Sequence, residues 1–341
     1  MKVGLVDVDS HNFPNLCLMK ISSFHKNNGD DVEFWKPDSI YDRVYVSKVF
    51  TESVIPVIQN AKEVFLGGSG IDYENKLPYC IEHETPDYTL YPQYDFALGM
   101  LTRGCPRKNH GFRITPKKDG CISKKVCDLD EFWKGQKKIV SLDQNILACR
   151  DKYSLLEQLA LSHAEVEFNG GLDVRFMSDT VIEVMKRIKV KDYHFAWDDP
   201  KENLIPNFYK VVSSGLVKPD TTGVYVLTNY WSTIQEDLYR IYELRKMKLL
   251  PFVMIYDKQK FVDKRGRWLK DVHTKFTREQ LIHFKIVQHL QRWCGNRRLI
   301  KSIPNFEDYE PYAKWKAKGF PVPGYEAAYS LCESEVENES L

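Results

Sequence analysis

IVSLD at residues 139–143, EVEFN at 165–169, YHFAW at 193–197, VYVLT at 224–228 and FVMIY at 252–256 begin 26 to 31 residues apart. Each is a short apolar run bounded by polar residues, which reads as a parallel strand buried on both faces. Between them, 151–162, 178–188 and 233–248 are amphipathic and long enough to be crossover helices. Strand and helix thus alternate at the spacing of βα units, which predicts a parallel sheet. FALGML at 96–101 supplies a first strand and brings the units to six, and 277–293 follows as a last helix. Six units are too few for a closed eight-stranded barrel, so the expected fold is a partial (β/α)6 barrel of the TIM type.

Ahead of this region the pattern repeats on a smaller scale. KVGLVDVD from Lys2 reads as a strand, 16–27 as a helix, and DVEFW, RVYVS and EVFLGG as later strands. The expected organisation is a small Rossmann-like α/β domain over 1–94, the partial barrel over 95–276, and a helical extension with an acidic tail over 277–341. The fold class is α/β.

Composition bounds the function only loosely. The 341 residues are 43% hydrophobic, enough to build cores, and 49 basic against 47 acidic side chains leave a net charge of +2. That balance neither selects nor excludes an anionic partner, so local patches decide. No run approaches the roughly 18 apolar residues of a membrane span, and MKVGLVDVDSHN turns polar too soon for a secretory signal. The expectation is a cytoplasmic protein without a membrane partner. Eight dispersed cysteines in a chain of this size are expected to be reduced. P-loop, GxGxxG, HExxH and GxSxG patterns do not occur.

Polar residues gather where each predicted barrel strand ends. Asp143 and Asn145 follow the second, Asn169, Gly170, Gly171, Asp173 and Arg175 the third, Trp197 and Asp198 the fourth, Asn229 the fifth, and Tyr256 with Asp257 the sixth. Parallel α/β folds collect ligands at the carboxyl ends of strands, where loops and helix N-termini converge. Any one of these residues also fits a turn or a helix cap. Their coincidence on successive strands predicts a pocket.

The loop after the first barrel strand, TRGCPRKNHGFRITPKKDG at 102–120, and the segments YDFALGMLTRGCPR, KVCDLDEFWKGQKKIVSLDQNILAC, NGGLDVRF and YHFAWDDP resemble a family of radical S-adenosylmethionine (SAM) proteins. The resemblance covers about 1–310, including a cobalamin-domain-like N-terminal region. It implies a six-stranded barrel, a [4Fe–4S] cluster on a CxxxCxφC loop with φ aromatic, and reductive cleavage of SAM on an unknown substrate. Cys105 matches the first cluster cysteine and Phe112 the aromatic place against the adenine. His110 and Arg113 occupy the other two ligand places, with one extra residue before His110. Histidine ligates iron on occasion, whereas arginine is a permanently charged donor that cannot. Asp143, Asn145, Asn169, Asp173, Arg175, Asp198 and Asn229 would hold SAM.

Three readings of the loop stay open. Cys121, Cys127 or His110 joins Cys105 in a rearranged cluster; or the cluster is lost and the fold binds a ligand without radical chemistry; or the chain is a damaged copy of an active enzyme. In the N-terminal region DSHNFP keeps Asp9 and His11 of a DxHxxG cobalamin loop but has Pro14 in the glycine place, and Gly67 with Gly68 follow a strand, so cobalamin is not expected to bind. A different class of partner comes from charge: 103–125 carries eight basic residues against the single acid Asp119, a patch that would attract nucleic acid. His194 and Cys149 read as core residues.

Overall fold

Residues 1–11, 13–107 and 114–322 are described by the computed structural model. The apolar run KVGLVD forms β1 (Lys2–Asp7), with Val3 and Leu5 fully buried. Helix α1 (Leu16–Asn27) follows, started by Asn15, whose side chain accepts the Leu18 N–H at 3.2 Å. His25 and Lys26 in its last turn complement the helix dipole. β2 (Asp31–Phe34), β3 (Tyr41–Ser47) and β4 (Ala61–Gly67) complete a parallel sheet of order β2-β1-β3-β4. The chain winds outward from β1 in both directions, the doubly wound pattern of Rossmann-like and flavodoxin-like sheets. α1 serves two cores at once. Leu18 and Ile21 pack on Val3 and Leu5, while Leu16 and Met19 pack on Leu98 and Val140 further along the chain.

After the short α2 (Tyr79–Glu82) come β5 (Ala97–Gly99) and β6 (Thr102–Arg103), then α3 (Ile114–Asp119), β7 (Lys124–Lys125), β8 (Lys138–Ser141), α4 (Lys152–Leu161), β9 (Glu165–Phe168), α5 (Asp179–Met185) and β10 (Lys189–Val190). β5, β8, β9 and β10 form a second parallel sheet, wound in chain order, β10-β9-β8-β5. β6 and β7 pair antiparallel, Thr102 opposite Lys125, and tie down both ends of the loop that carries Cys105. Leu155, Leu156 and Leu159 form the buried stripe of α4, as the 3.6-residue period requires.

β11 (His194–Ala196), α6 (Ile205–Ser213), β12 (Gly223–Thr228), α7 (Ile234–Lys246) and β13 (Leu250–Ile255) make a third parallel sheet, β11-β12-β13, also in chain order. α8 (Val272–Lys275), α9 (Arg278–Gly295), α10 (Arg297–Ser302) and α11 (Glu310–Ala317) follow. α7 and α9 each open on a capping box, Thr233 with Glu236 and Thr277 with Gln280. Leu290 and Trp293 of α9 pack with Ile241 of α7 and Val253 of β13. Arg240 of α7 is fully buried and donates to the carbonyl oxygens of Trp197 and Leu227 at 2.7 and 2.8 Å, pinning the ends of β11 and β12. Its charge is balanced by the buried Asp237 of the same helix.

The molecule is therefore α/β, with parallel sheets, and each of the six barrel strands expected from sequence is a strand. They are distributed over two sheets, and no closed barrel is formed among the described residues. β10 is an additional strand in the segment before YHFAW. The chain divides into two compact units, Met1–Asp192 and Tyr193–Leu341.

Candidate functional site

In the first unit the strand-end residues are organised around Asp143. Its carboxylate is buried just past β8 and accepts the Ser141 hydroxyl at 2.6 Å, the Leu101 N–H at 3.2 Å, and both the N–H and the hydroxyl of Thr102. Burial pushes its pKa up, against the opposing pull of those hydrogen bonds. With its acceptor positions filled by protein, Asp143 is a strap that fixes the chain leaving β5 to the end of β8. The sequence reading placed it among the SAM-holding residues; in the fold its carboxylate is taken up by four protein donors.

That strap orients the Cys105 loop. Gly104 has φ +92°, and a Cβ there would lie 2.2 Å from the Ile122 carbonyl oxygen, so only glycine allows the approach. Its N–H donates to Gln144 Oε1 at 2.9 Å, and the Cys105 N–H donates to the Gly120 carbonyl at 3.1 Å. The Cys105 thiol is thereby buried beside Asn145, whose Nδ2 lies 3.7 Å from Sγ and 3.0 Å from Asp173 Oδ2. Asp173 in turn accepts Arg175 Nε at 2.8 Å. Burial alone would raise the Asp173 pKa, but Arg175 and the Asn145 amide outweigh it and hold the carboxyl below its ordinary value. Cys105, Asn145, Asp173 and Arg175 thus form one cluster at the carboxyl ends of β8 and β9. Gln144 and Ser123, whose hydroxyl donates to the Asn145 carbonyl at 2.8 Å, complete it. Sequence reasoning passes over both, although Gln144 lies between two residues it names.

The other strand-end residues are used differently. Asn169 is exposed, and its N–H extends the pairing of β9 by donating to Ser141 O at 2.9 Å. A Cβ on Gly170 would meet the Asp143 carbonyl at 2.3 Å, so this glycine serves close packing of chain on chain. In the second unit, Asp198 is buried and its carbonyl accepts Arg240 at 2.9 Å. Asn229 takes a left-handed φ of 61° and donates Nδ2 to Tyr256 O at 3.0 Å, joining the ends of β12 and β13. His110, Phe112 and Arg113 lie outside the described residues.

An iron–sulfur cluster needs several thiolates or imidazoles with free lone pairs. Cys127 Sγ lies 3.1 Å from the Met100 carbonyl, to which it donates, and burial pushes the thiol up to about 12. Cys121 is exposed, and no group of three His, Cys, Asp or Glu side chains suited to a metal occurs among the described residues. Among the described residues no donor set suited to a [4Fe–4S] cluster is assembled around Cys105.

In the N-terminal sheet, Asp9 accepts the N–H groups of Val49 and Phe50, both at 2.8 Å, and Gly68 allows the chain to pass Lys48, whose oxygen would lie 2.2 Å from a Cβ. Both residues have local structural uses. The basic run is partly neutralised from within. Arg103 pairs with Glu82 at 2.8 Å and Asp119 at 3.4 Å, and Lys125 pairs with Asp128 at 2.6 Å. No helix among the described residues is long and apolar enough to cross a membrane.

Fold and cluster together define an α/β protein with a polar site at its strand ends. No protein-family model matches the chain, and no curated protein matches it.

Proposed function

We propose that this chain is a protein of the radical SAM type that has given up its cluster and retains ligand binding at the strand ends. The observation that carries the reading is the gathering of Cys105, Asn145, Asp173 and Arg175 at the carboxyl ends of β8 and β9. Winding supports the partial barrel. Each later sheet, taken by itself, runs in strict chain order with every neighbour parallel. Sequential winding belongs to βα barrels, whereas open doubly wound sheets reverse order at a switch point.

Asp173 and Arg175 are paired with each other, Asp173 accepting the Arg175 N–H at 3.2 Å, its Nε at 2.8 Å and its Nη2 as well as the Asn145 amide at 3.0 Å, so a ligand binds here by exchanging with this pair, whose charge pattern matches the ammonium and carboxylate of an α-amino acid. The ligand of this reading is SAM, its aminoacyl end on Asp173 and Arg175. Lacking an iron to chelate that end, the protein binds SAM more weakly than a cluster-bearing relative would. In titration calorimetry the iron-free chain is expected to bind SAM in the micromolar range or weaker, and Arg175→Ala to weaken binding at least tenfold. Unchanged affinity in Arg175→Ala and Asp173→Asn would remove this site from the reading. The nucleic-acid alternative draws less from 103–125 than the charge count suggests, because Arg103 and Lys125 are already ion-paired.

A further inference from the structure

A cavity of about 510 Å³ opens at the carboxyl ends of β1 and β2, apart from the Cys105 cluster. Its size lies within the range of about 300–1,000 Å³ usual for small-molecule sites. Strand ends of a doubly wound sheet are where such ligands bind. The walls are aromatic. Phe13, Phe34, Trp35 and Tyr91 line it, and Phe34 meets Tyr91 edge to face with ring centres 5.5 Å apart. The Trp35 ring is held by its Nε1–H donating to Asn60 Oδ1 at 2.8 Å, so this wall is fixed before any ligand arrives. Phe13 and Phe34 remain 37% and 38% exposed, large apolar surface left uncovered at a strand end.

The polar part of the lining excludes an anion. Asp7 and Asp9 both line the cavity, and no lysine or arginine is among the lining residues. A phosphate would meet two carboxylates and no fixed cation, the His11 imidazole beside Asp9 being the one lining group that could carry positive charge. Asp9 is occupied by the Val49 and Phe50 N–H groups. Asp7 accepts the Ser10 N–H at 3.1 Å, the Ser10 hydroxyl and the Tyr91 hydroxyl at 2.7 Å. A carboxylate offers about four acceptor positions, so one on Asp7 remains for a donor from a ligand.

We propose that this cavity binds an unphosphorylated nucleoside, its base against Phe34 and Trp35 and an amino or hydroxyl group donating to Asp7. Flat aromatic walls recognise the face of a heteroaromatic ring, and the acidic floor selects the neutral molecule over its phosphate ester.

The test is equilibrium dialysis of the full chain against adenosine, guanosine, cytidine and uridine, each beside its 5′-monophosphate. At least one nucleoside is expected to bind at submillimolar concentration, with its monophosphate at least tenfold weaker. Phe34→Ala, which removes a half-exposed ring, should weaken binding tenfold or more while the unfolding transition is unchanged. If that variant does not fold, Phe13→Ala carries the same comparison. Asp7→Asn should narrow the preference for nucleoside over monophosphate, and Arg175→Ala should leave it as it is. Failure of all four nucleosides to bind, a monophosphate binding as tightly as its nucleoside, or binding that survives the loss of the Phe ring would overturn the proposal.

Discussion

Asp143 shows how a side chain that sequence places at a strand end can be taken up by protein donors from elsewhere in the chain. Its position after a buried strand is where ligand-binding carboxylates occur, yet the donors that fill it come from Leu101 and Thr102, about forty residues away in the chain. Asp143→Ala would leave buried N–H and hydroxyl donors without an acceptor. Each such group costs about 1–3 kcal/mol, so a loss of about 3 kcal/mol or more is expected in urea unfolding, and Asp143→Asn should lose less. A variant as stable as the natural chain would show that the strap does not hold the loop. Asn145, Asp173 and Arg175 differ from Asp143 in that they form a hydrogen-bonded chain that reaches the Cys105 thiol through Asn145, which spacing along the chain does not reveal.

Among the elements, those with strong local signals were the most legible. α1 spans the segment read from sequence, and α7 and α9 begin at threonines that box with Glu236 and Gln280 three residues on. α6 carries Pro206 near its start, and the sequence reading assigns no helix there; its apolar face is decided by packing of Phe208 and Val211. α9 also contains a local conflict. His289 is buried with neither ring nitrogen hydrogen-bonded among the described residues, and burial, reinforced by Lys285 and Arg292, lowers its pKa to about 4. A histidine protonates near 6.5 when unfolded, so the folded state binds fewer protons between about 4 and 6.5 and loses stability as pH falls through that window. His289→Leu is expected to stabilise the chain by about 1–2 kcal/mol at neutral pH through removal of an unsatisfied polar ring. Thermal unfolding should show the advantage growing as pH drops from about 6.5 towards 4, and an advantage independent of pH would contradict the assigned cause.

At the scale of the whole molecule, the proposed loss of radical chemistry makes a direct prediction. After anaerobic reconstitution with iron and sulfide, the natural chain should retain far less iron than one [4Fe–4S] cluster requires, and dithionite should yield no 5′-deoxyadenosine from SAM. Formation of 5′-deoxyadenosine, abolished by Cys121→Ala or Cys127→Ala, would instead establish a rearranged cluster. Iron retained by His110→Cys combined with Arg113→Cys, and not by the natural chain, would place the loss at those two residues. Sequence by itself determined the α/β class, six of the parallel strands and most of the helices that connect them, because periodicity, caps and β-strand composition act within a few residues. The doubly wound order of the first sheet and the chain-order winding of the other two came only with tertiary structure, since pairing joins strands far apart in the chain. Tertiary structure alone also decided which strand-end groups remain available. Asp143 is filled, and the Asn229 amide is engaged at one N–H, by partners 41 and 27 residues away, while the cavity beside Phe34 and Asp7 exists only once Tyr91 is brought to β1, because saturation of a polar group depends on whatever distant chain folds against it.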